Sequence, residues 1–395
     1  YWGDGTISAM CGESVLPLKP GRVYVANTGS NVYPYDTWET AANNLEDAVL
    51  TVYGNKESPG VVCVAEGSYS LLAKSGMTVP QGVKVTGVGE RDKTIVNGVA
   101  HGNTHTKLLK VTGGIVENLT FVGGYFVGSE SYDNKSDAVS LNASNGSIVS
   151  NCVFKGASAG LEAGYFVRVI NEGTRLVDSM IFNMTHSGAA HGEVNGVLTV
   201  EEGAEANGCI ISNNSVRLAA DAVAHPGGVV CVGLNAKLKS CVVTKNVRLS
   251  SYPFYSTSGV KIIGSGALVE DCIIENNRCD LRAHDTQLGA GGLHIAAANA
   301  TVRRTIIRGN LVRSYSGATE PAGVNIQGAN ALLENCLISD NITEYGPVSG
   351  LYVQSATAKI INCTIVGNSV TWPDNRKSHG VYSSVAALFT NDVII

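Results

Sequence analysis

The sequence predicts an all-β chain wound as a right-handed, single-stranded parallel β-helix. Three observations predict it: a motif that returns about every 30 residues, short β-branched runs inside each copy, and polar residues held at one phase of the repeat.

The motif is clearest in "ALVEDCIIENN", where Cys272 stands five residues before Asn277. "AEANGCIISNN", "AKLKSCVVTKN", "ATVRRTIIRGN", "ALLENCLISDN" and "AKIINCTIVGN" place Cys209, Cys241, Thr305, Cys336 and Cys363 at the same distance from Asn214, Asn246, Asn310, Asn341 and Asn368. Looser copies centre on Leu119, Cys152 and Met180, and a last one puts Asp392 in the cysteine place. The successive spacings from Leu119 are 33, 28, 29, 32, 31, 33, 31, 27 and 29 residues. A period held that well means stacked repeats, so length alone does not set the domain count. Apolar runs bounded by Gly, Asn and Asp are strands, not helical repeats. A further strand follows a glycine in each copy, as in "GVKII" from Gly259 and "GGLHIA" from Gly291. Two or three strands per turn would coil the chain so that equivalent residues stack at roughly 4.8 Å.

Stacking explains the repetition, because one acceptable rung repeats itself. The cysteines would form an inward column of small, soft side chains. The asparagines would form a corner ladder, each amide bonding its neighbours. Lys239, Glu270, Arg303 and Glu334, two residues before the cysteine position, alternate in sign, which attracts only in this register.

Residues 1–21 read as a lead-in and 22–395 as the β-helix, with 22–100 holding a cap and the first turns. Residues 101–395 make about ten turns of ~30 residues, expected to continue beyond Ile395 in a longer protein. Residues 37–53 read as an amphipathic helix that caps the first turn, with Trp38, Ala41, Ala42, Leu45, Ala48, Val49 and Val52 on one face and Gly54 past its end.

Composition narrows the function. Charged residues are 15% of the chain and the net charge is -5, too mildly acidic for a nucleic-acid surface. No apolar run is long enough to span a bilayer. The start at Tyr1 fits removal of a signal peptide and export. Ten cysteines in an exported chain would ordinarily suggest disulfides. The repeat phase instead makes the ladder cysteines buried free thiols, with at most one bond among Cys209, Cys241 and Cys272.

The segments between each ladder asparagine and the next glycine are long and unequal, from "SVRLAADAVAHPGG" to "SVTWPDNRKSHG". They read as loops that build one wall, carrying Arg217, Arg248, Arg278, Arg282 and Arg313 with Tyr255, Tyr315, Tyr345 and Trp372. Aromatic faces and guanidinium forks suit sugar rings and acidic groups. Beside the wall, the strand after the glycine should turn Lys261, His294, Asn325, Tyr352 and Tyr382 outward as a polar, aromatic strip.

The pairing of "IIENN"-type with "GGLH"-type motifs resembles the repeats of chlamydial polymorphic membrane proteins and related right-handed β-helix regions of bacterial surface proteins. The leading stretch from "VYVANTGSN" is similar to that of pectate-lyase-like helices. The resemblance implies an exported or outer-membrane-associated surface protein. It also implies that polysaccharide lies on the strip, held by Lys261, His294, Asn325, Tyr352, Tyr382, Arg248, Arg282, Arg313, Tyr255, Tyr315 and Trp372. In a lyase, Lys261 and His294 on adjacent rungs would be the candidate catalytic bases. No carboxylate cluster for calcium is evident, so no cofactor or metal is expected. A non-catalytic adhesin or carbohydrate-binding stalk is the leading reading. A polysaccharide lyase or glycoside hydrolase acting on an acidic glycan is the first alternative. A structural component of a larger surface assembly, met at the C-terminal edge by another domain or chain, is the second.

Overall fold

The computed structural model describes the chain except for residues 1–7, 12–13, 18, 100–105, 127–137, 160–164, 187–195, 219–227, 251–256, 282–288, 315–320, 347 and 373–378. The chain is a parallel β-helix with four sheets per turn, where two or three strands per turn were expected. One turn shows the order: Leu268–Glu270 in sheet I, Ile273–Glu275 in sheet II, Arg278–Leu281 in sheet III and Leu293–Ile295 in sheet IV. The sheets hold thirteen, twelve, nine and eleven strands respectively, each strand paired in parallel with its equivalent one turn away.

The register is set by what lies inside. Leu238, Val269, Val302 and Leu333 stack in sheet I, Val243, Ile274, Ile307 and Ile338 in sheet II, and Val230, Val260, Leu293 and Val324 in sheet IV. All twelve are buried, and a one-residue slip would turn each column to solvent. Phe121 and Phe154 stack on adjacent rungs with ring centroids 5.2 Å apart.

The bends come from residues in the left-handed region. Asp271, Arg304, Asn335 and Asn362, each immediately before the cysteine position, have φ between 48° and 55°. Asn276, Gly309, Asp340 and Gly367, each before the ladder asparagine, have φ between 55° and 67°. Asn, Asp and Gly dominate because they tolerate this conformation at little cost. The glycine that opens the core strand of sheet IV has a different cause. A Cβ at Gly259, Gly292, Gly323 or Gly350 would run into the carbonyl oxygen of the glycine on the next rung.

The asparagine and cysteine ladders form as expected, and the charged residues stack in register but pair with one another at one rung only among the described residues. Each asparagine amide nitrogen donates to the next side-chain oxygen, from Asn214 to Asn246, Asn277, Asn310, Asn341 and Asn368, at 2.9–3.1 Å. Each also donates to a carbonyl of the turn before, such as Asn277 to Val243 at 2.9 Å. The thiols of Cys209, Cys241, Cys272, Cys336 and Cys363 are free and buried, and each donates to a carbonyl two residues earlier in the chain. Lys239, Glu270, Arg303 and Glu334 are in register. Arg303 pairs with Glu270 at 2.5 Å, while Lys239 turns to Glu205 on the other side at 3.3 Å.

The leading helix is shorter than expected. It spans Leu45–Thr51, with Asn44 as the N-cap accepting from the Asp47 amide at 2.8 Å. Thr37 and Thr40 exchange side-chain bonds with each other's amides, and such local bonding competes with a helix. Ala42 bridges instead to Val25. The apolar face survives as a burial pattern in Ala41, Ala42, Leu45, Ala48, Val49 and Val52, while Trp38 stays 39% exposed and packs its ring on Tyr24 at 4.5 Å. In the lead-in, Ser8–Cys11 and Ser14–Pro17 form an antiparallel pair.

Candidate functional site

Sheet III decides the site. The segments expected as loops begin as its strands, Val247–Ser250, Arg278–Leu281, Leu311–Ser314 and Ile342–Tyr345 among them. One face of that sheet, formed by Val216, Arg248, Cys279, Val312 and Thr343 in register, is buried. The strip on sheet IV runs Thr199, Cys231, Lys261, His294, Asn325, Tyr352 and Tyr382 in register, as the sequence indicated. It points away from the core, yet Thr199, Cys231, His294 and Asn325 are fully buried and Lys261 is 8% exposed. The two layers meet there, with Arg248 beside Cys231 and Cys279 and Lys261 beside Cys231 and Arg248.

The expectation of a solvent-facing strip is therefore corrected along its middle. Charged groups in that layer are disfavoured by lost hydration. Burial lowers the Lys261 ammonium to about 8, with Arg248 adding repulsion and Cys231 acting the other way. His294 falls to about 3, through burial first and the Lys261 charge second, so its imidazole is neutral. Its Nε2 donates to Gln327 Oε1 at 2.9 Å. Burial raises the Cys231 thiol to about 11 and lowers Arg248. Asn325 donates to the Gly289 carbonyl and accepts from Gln354, at 3.1 and 2.8 Å.

From Thr199 onward the strip opens toward its C-terminal rungs, where Tyr352 and Tyr382 pack with ring centroids 5.3 Å apart and Tyr382 is 40% exposed. Arg313 lies on the outward side of sheet III in an ion pair with Glu344 at 2.7 Å. Arg282, Tyr255 and Tyr315, and the side chain of Trp372, lie outside the described residues. Lys261, His294, Asn325 and Arg248 are thus brought together, but in a closed layer.

The sequence reading passed over a second feature. At the corner where sheet IV turns into sheet I, a groove of about 580 Å³ is lined by Glu172, Gly173, Thr174, Arg175, Glu202, Gly203, Glu205, Leu234, Asn235 and Lys237. Arg175, Glu205 and Lys237 form one wall, in register on three rungs of sheet I. Gly173 and Gly203, with φ of 83° and 78°, turn the chain and leave the floor without side chains. Glu205 is engaged by Lys239 at 3.3 Å and Asn207 at 3.4 Å, and Glu202 accepts from Asn171 at 2.7 Å. The sequence signal was present four residues before the cysteine position, where Glu205 and Lys237 precede Cys209 and Cys241. A smaller pocket of about 200 Å³ holds Lys107, Lys110 and Asn142. Among the described residues, no group of three or more His, Cys, Asp or Glu side chains could hold a metal ion, and no helix is long and apolar enough to cross a membrane.

These sheets and ladders define a right-handed parallel β-helix. Residues 227–395 match the family model for the right handed beta helix region. No curated protein matches by sequence. Among solved structures, the chain is similar to the catalytic domain of a GH87 alpha-1,3-glucanase bound to tetrasaccharides, at 11% identity and a TM-score of 0.40 over 84% of this chain and 64% of that one. It therefore spans less than two thirds of that domain. It is also similar to the A-module of the Azotobacter vinelandii mannuronan C-5 epimerase AlgE4, at 12% identity and a TM-score of 0.37, covering 85% and 89% of the two chains. A third is PfbA, a surface adhesin of Streptococcus pneumoniae, at 12% identity and a TM-score of 0.37, covering 78% and 82%. At these identities the likeness is one of fold.

Proposed function

We propose that the chain is an exported, cell-surface β-helix that binds carbohydrate without transforming it, and that it needs no cofactor. One observation carries the reading: Lys261 and His294, the pair placed to act as bases, are buried, with Lys261 beside Arg248 of sheet III. A base must come within hydrogen-bond reach of the proton it removes, and a buried side chain is out of a polymer's reach. Two acids of sheet I are engaged as well, Glu270 by Arg303 and Arg304 and Glu205 by Lys239. What the solenoid offers solvent is polar relief on a rigid rod, which suits recognition.

The test is a glycan array on the purified protein, followed by incubation of any hit and assay for new reducing ends and for the ultraviolet absorbance of unsaturated uronate. Binding without products supports the reading. Products that disappear in a folded Lys261→Met, His294→Asn double variant would replace it with a lyase or hydrolase. Silence across the array would remove the carbohydrate claim and favour the structural role.

A further inference from the structure

We infer that the corner groove over Glu172, Arg175, Glu202, Glu205, Asn235 and Lys237 is a binding site for a short stretch of neutral glycan laid along the solenoid axis. This rests on the carbohydrate reading above and gives it a place and a ligand class. The groove crosses three consecutive rungs, because Arg175, Glu205 and Lys237 are direct register partners. Three rungs span roughly 10 Å at the interstrand spacing, the length of about two pyranose units in an extended chain.

The lining selects hydroxyls over ions. Glu172, Glu202 and Glu205 present acceptors only, and Arg175, Lys237 and the amide of Asn235 present donors. A sugar hydroxyl does both, so it can bridge the two kinds along the wall. The charges cancel: three carboxylates face Arg175 and Lys237 in the lining, and Lys239 is bonded to Glu205. An acidic glycan would meet Glu172 and Glu202, and a cationic one Arg175 and Lys237. Neither basic residue has an ion-pair partner within 4 Å among the described residues, so their donors are available without breaking an internal bond. Leu234, 53% exposed in the same groove, gives the apolar face of a pyranose ring a contact. The supports are rigid, since each wall residue sits on a strand or on a corner fixed by paired neighbours.

The experiment titrates the protein with cellotetraose, laminaritetraose, mannotetraose and chitotetraose by calorimetry, and with oligogalacturonate as the acidic probe. We expect a neutral tetraose to bind with an affinity that changes by less than about twofold between roughly 50 and 500 mM salt, because no net charge is neutralised. Lys237→Ala and Glu202→Ala should each weaken it about tenfold or more with the melting temperature preserved. Lys110→Ala in the smaller pocket should leave it unchanged. Binding that survives both groove variants overturns this inference while the carbohydrate reading stands. Oligogalacturonate binding in place of the neutral sugars, lost in salt, overturns the ligand class. No neutral binding overturns the inference outright, and a blank array besides overturns the reading beneath it.

Discussion

Removing one amide from the middle of the asparagine ladder should open the solenoid locally. In Asn277→Ala four hydrogen bonds vanish: the donations from Asn277 to Val243 O and Asn310 Oδ1, and those received from the backbone and side-chain amides of Asn246. The site is fully buried, so no water replaces them. At about 1 kcal/mol net per bond the loss is about 4 kcal/mol, more if the Asn246 amide stays orphaned. A solenoid need not unfold in one step, so the readout is local. Hydrogen exchange at the Asn246 backbone amide, which bonds to the Asn277 side chain at 3.1 Å, should speed by about 10³-fold, each 1.4 kcal/mol being worth a factor of ten. Asn277→Asp keeps the shape and the acceptors but loses both donors and buries a charge, so it should be at least as damaging at neutral pH. Its carboxyl, raised by burial, should take a proton as pH falls and recover part of the loss. Asn299→Ala, at an exposed corner amide bonded to Ser265 and Asn330 with φ of 56°, should cost only about 1–2 kcal/mol, mainly left-handed strain on the alanine, and leave exchange at Asn246 unchanged. An exchange rate at Asn246 within about threefold of wild type in a folded Asn277→Ala would refute the assignment of stability to the ladder.

Four further outcomes follow from the closed layer and the thiol column. Lys261 is held at about 8 against an ordinary 10.5, so keeping it charged costs about 3 kcal/mol at neutral pH. Lys261→Met should therefore raise the urea midpoint at pH 7, with the advantage fading as pH rises from about 8 to 10.5, where the unfolded chain sheds the same proton; a loss of stability at pH 7 would contradict it. His294 is held neutral at about 3, so its contribution is full above about 6.5 and declines as pH falls, by roughly 2 kcal/mol at pH 5, and His294→Asn should flatten that slope in acid titrations. The ladder thiols should resist iodoacetamide until denaturant unfolds the chain, since all five are buried away from the reagent. Cys272→Thr, which copies the Thr305 rung, should cost under about 1 kcal/mol, whereas Cys272→Leu should overpack the column by about 1–3 kcal/mol.

The sequence carried the register almost completely, because in a stacked fold a local choice is also a global one. Cysteine, asparagine and charge each recur at one phase, and each phase became a column in register. The left-handed corners were legible in part, in the Asn, Asp or Gly that precedes most ladder residues, while Ser240, Lys245 and Arg304 take the same conformation without that signal. Sheet III was not. Its strands, such as "VRLS" and "RCDL", are four residues long and polar on one face, so they carry the composition of loops. Their identity as strands depends on neighbours about thirty residues away, which local periodicity does not report. The leading helix erred the other way: its apolar spacing continues back to Trp38, but Thr37 and Thr40 bond to each other and Ala42 joins a strand.

That missed sheet moves the site. A β-helix has a continuous outer face on every sheet, and the first assumption is that the polar face is the one that binds. Here the most polar and basic stretch, from Arg248 to His294, is polar because two sheets meet across it; its residues report burial by their lowered proton affinities. A layer of that kind adds little net stability, since desolvation of charge offsets attraction, but it fixes how sheet III lies on sheet IV. With that surface closed, the recognition surface we propose is a corner where the turns are glycine and the flanking strands carry interleaved acids and bases. Arg175, Glu205 and Lys237 fit this division: they stand in register like every other rung, yet Glu205 bonds sideways to Lys239 and leaves the two cations facing the groove. The repeat supplies the spacing, and one sideways ion pair turns a structural ladder into a surface with donors to spare.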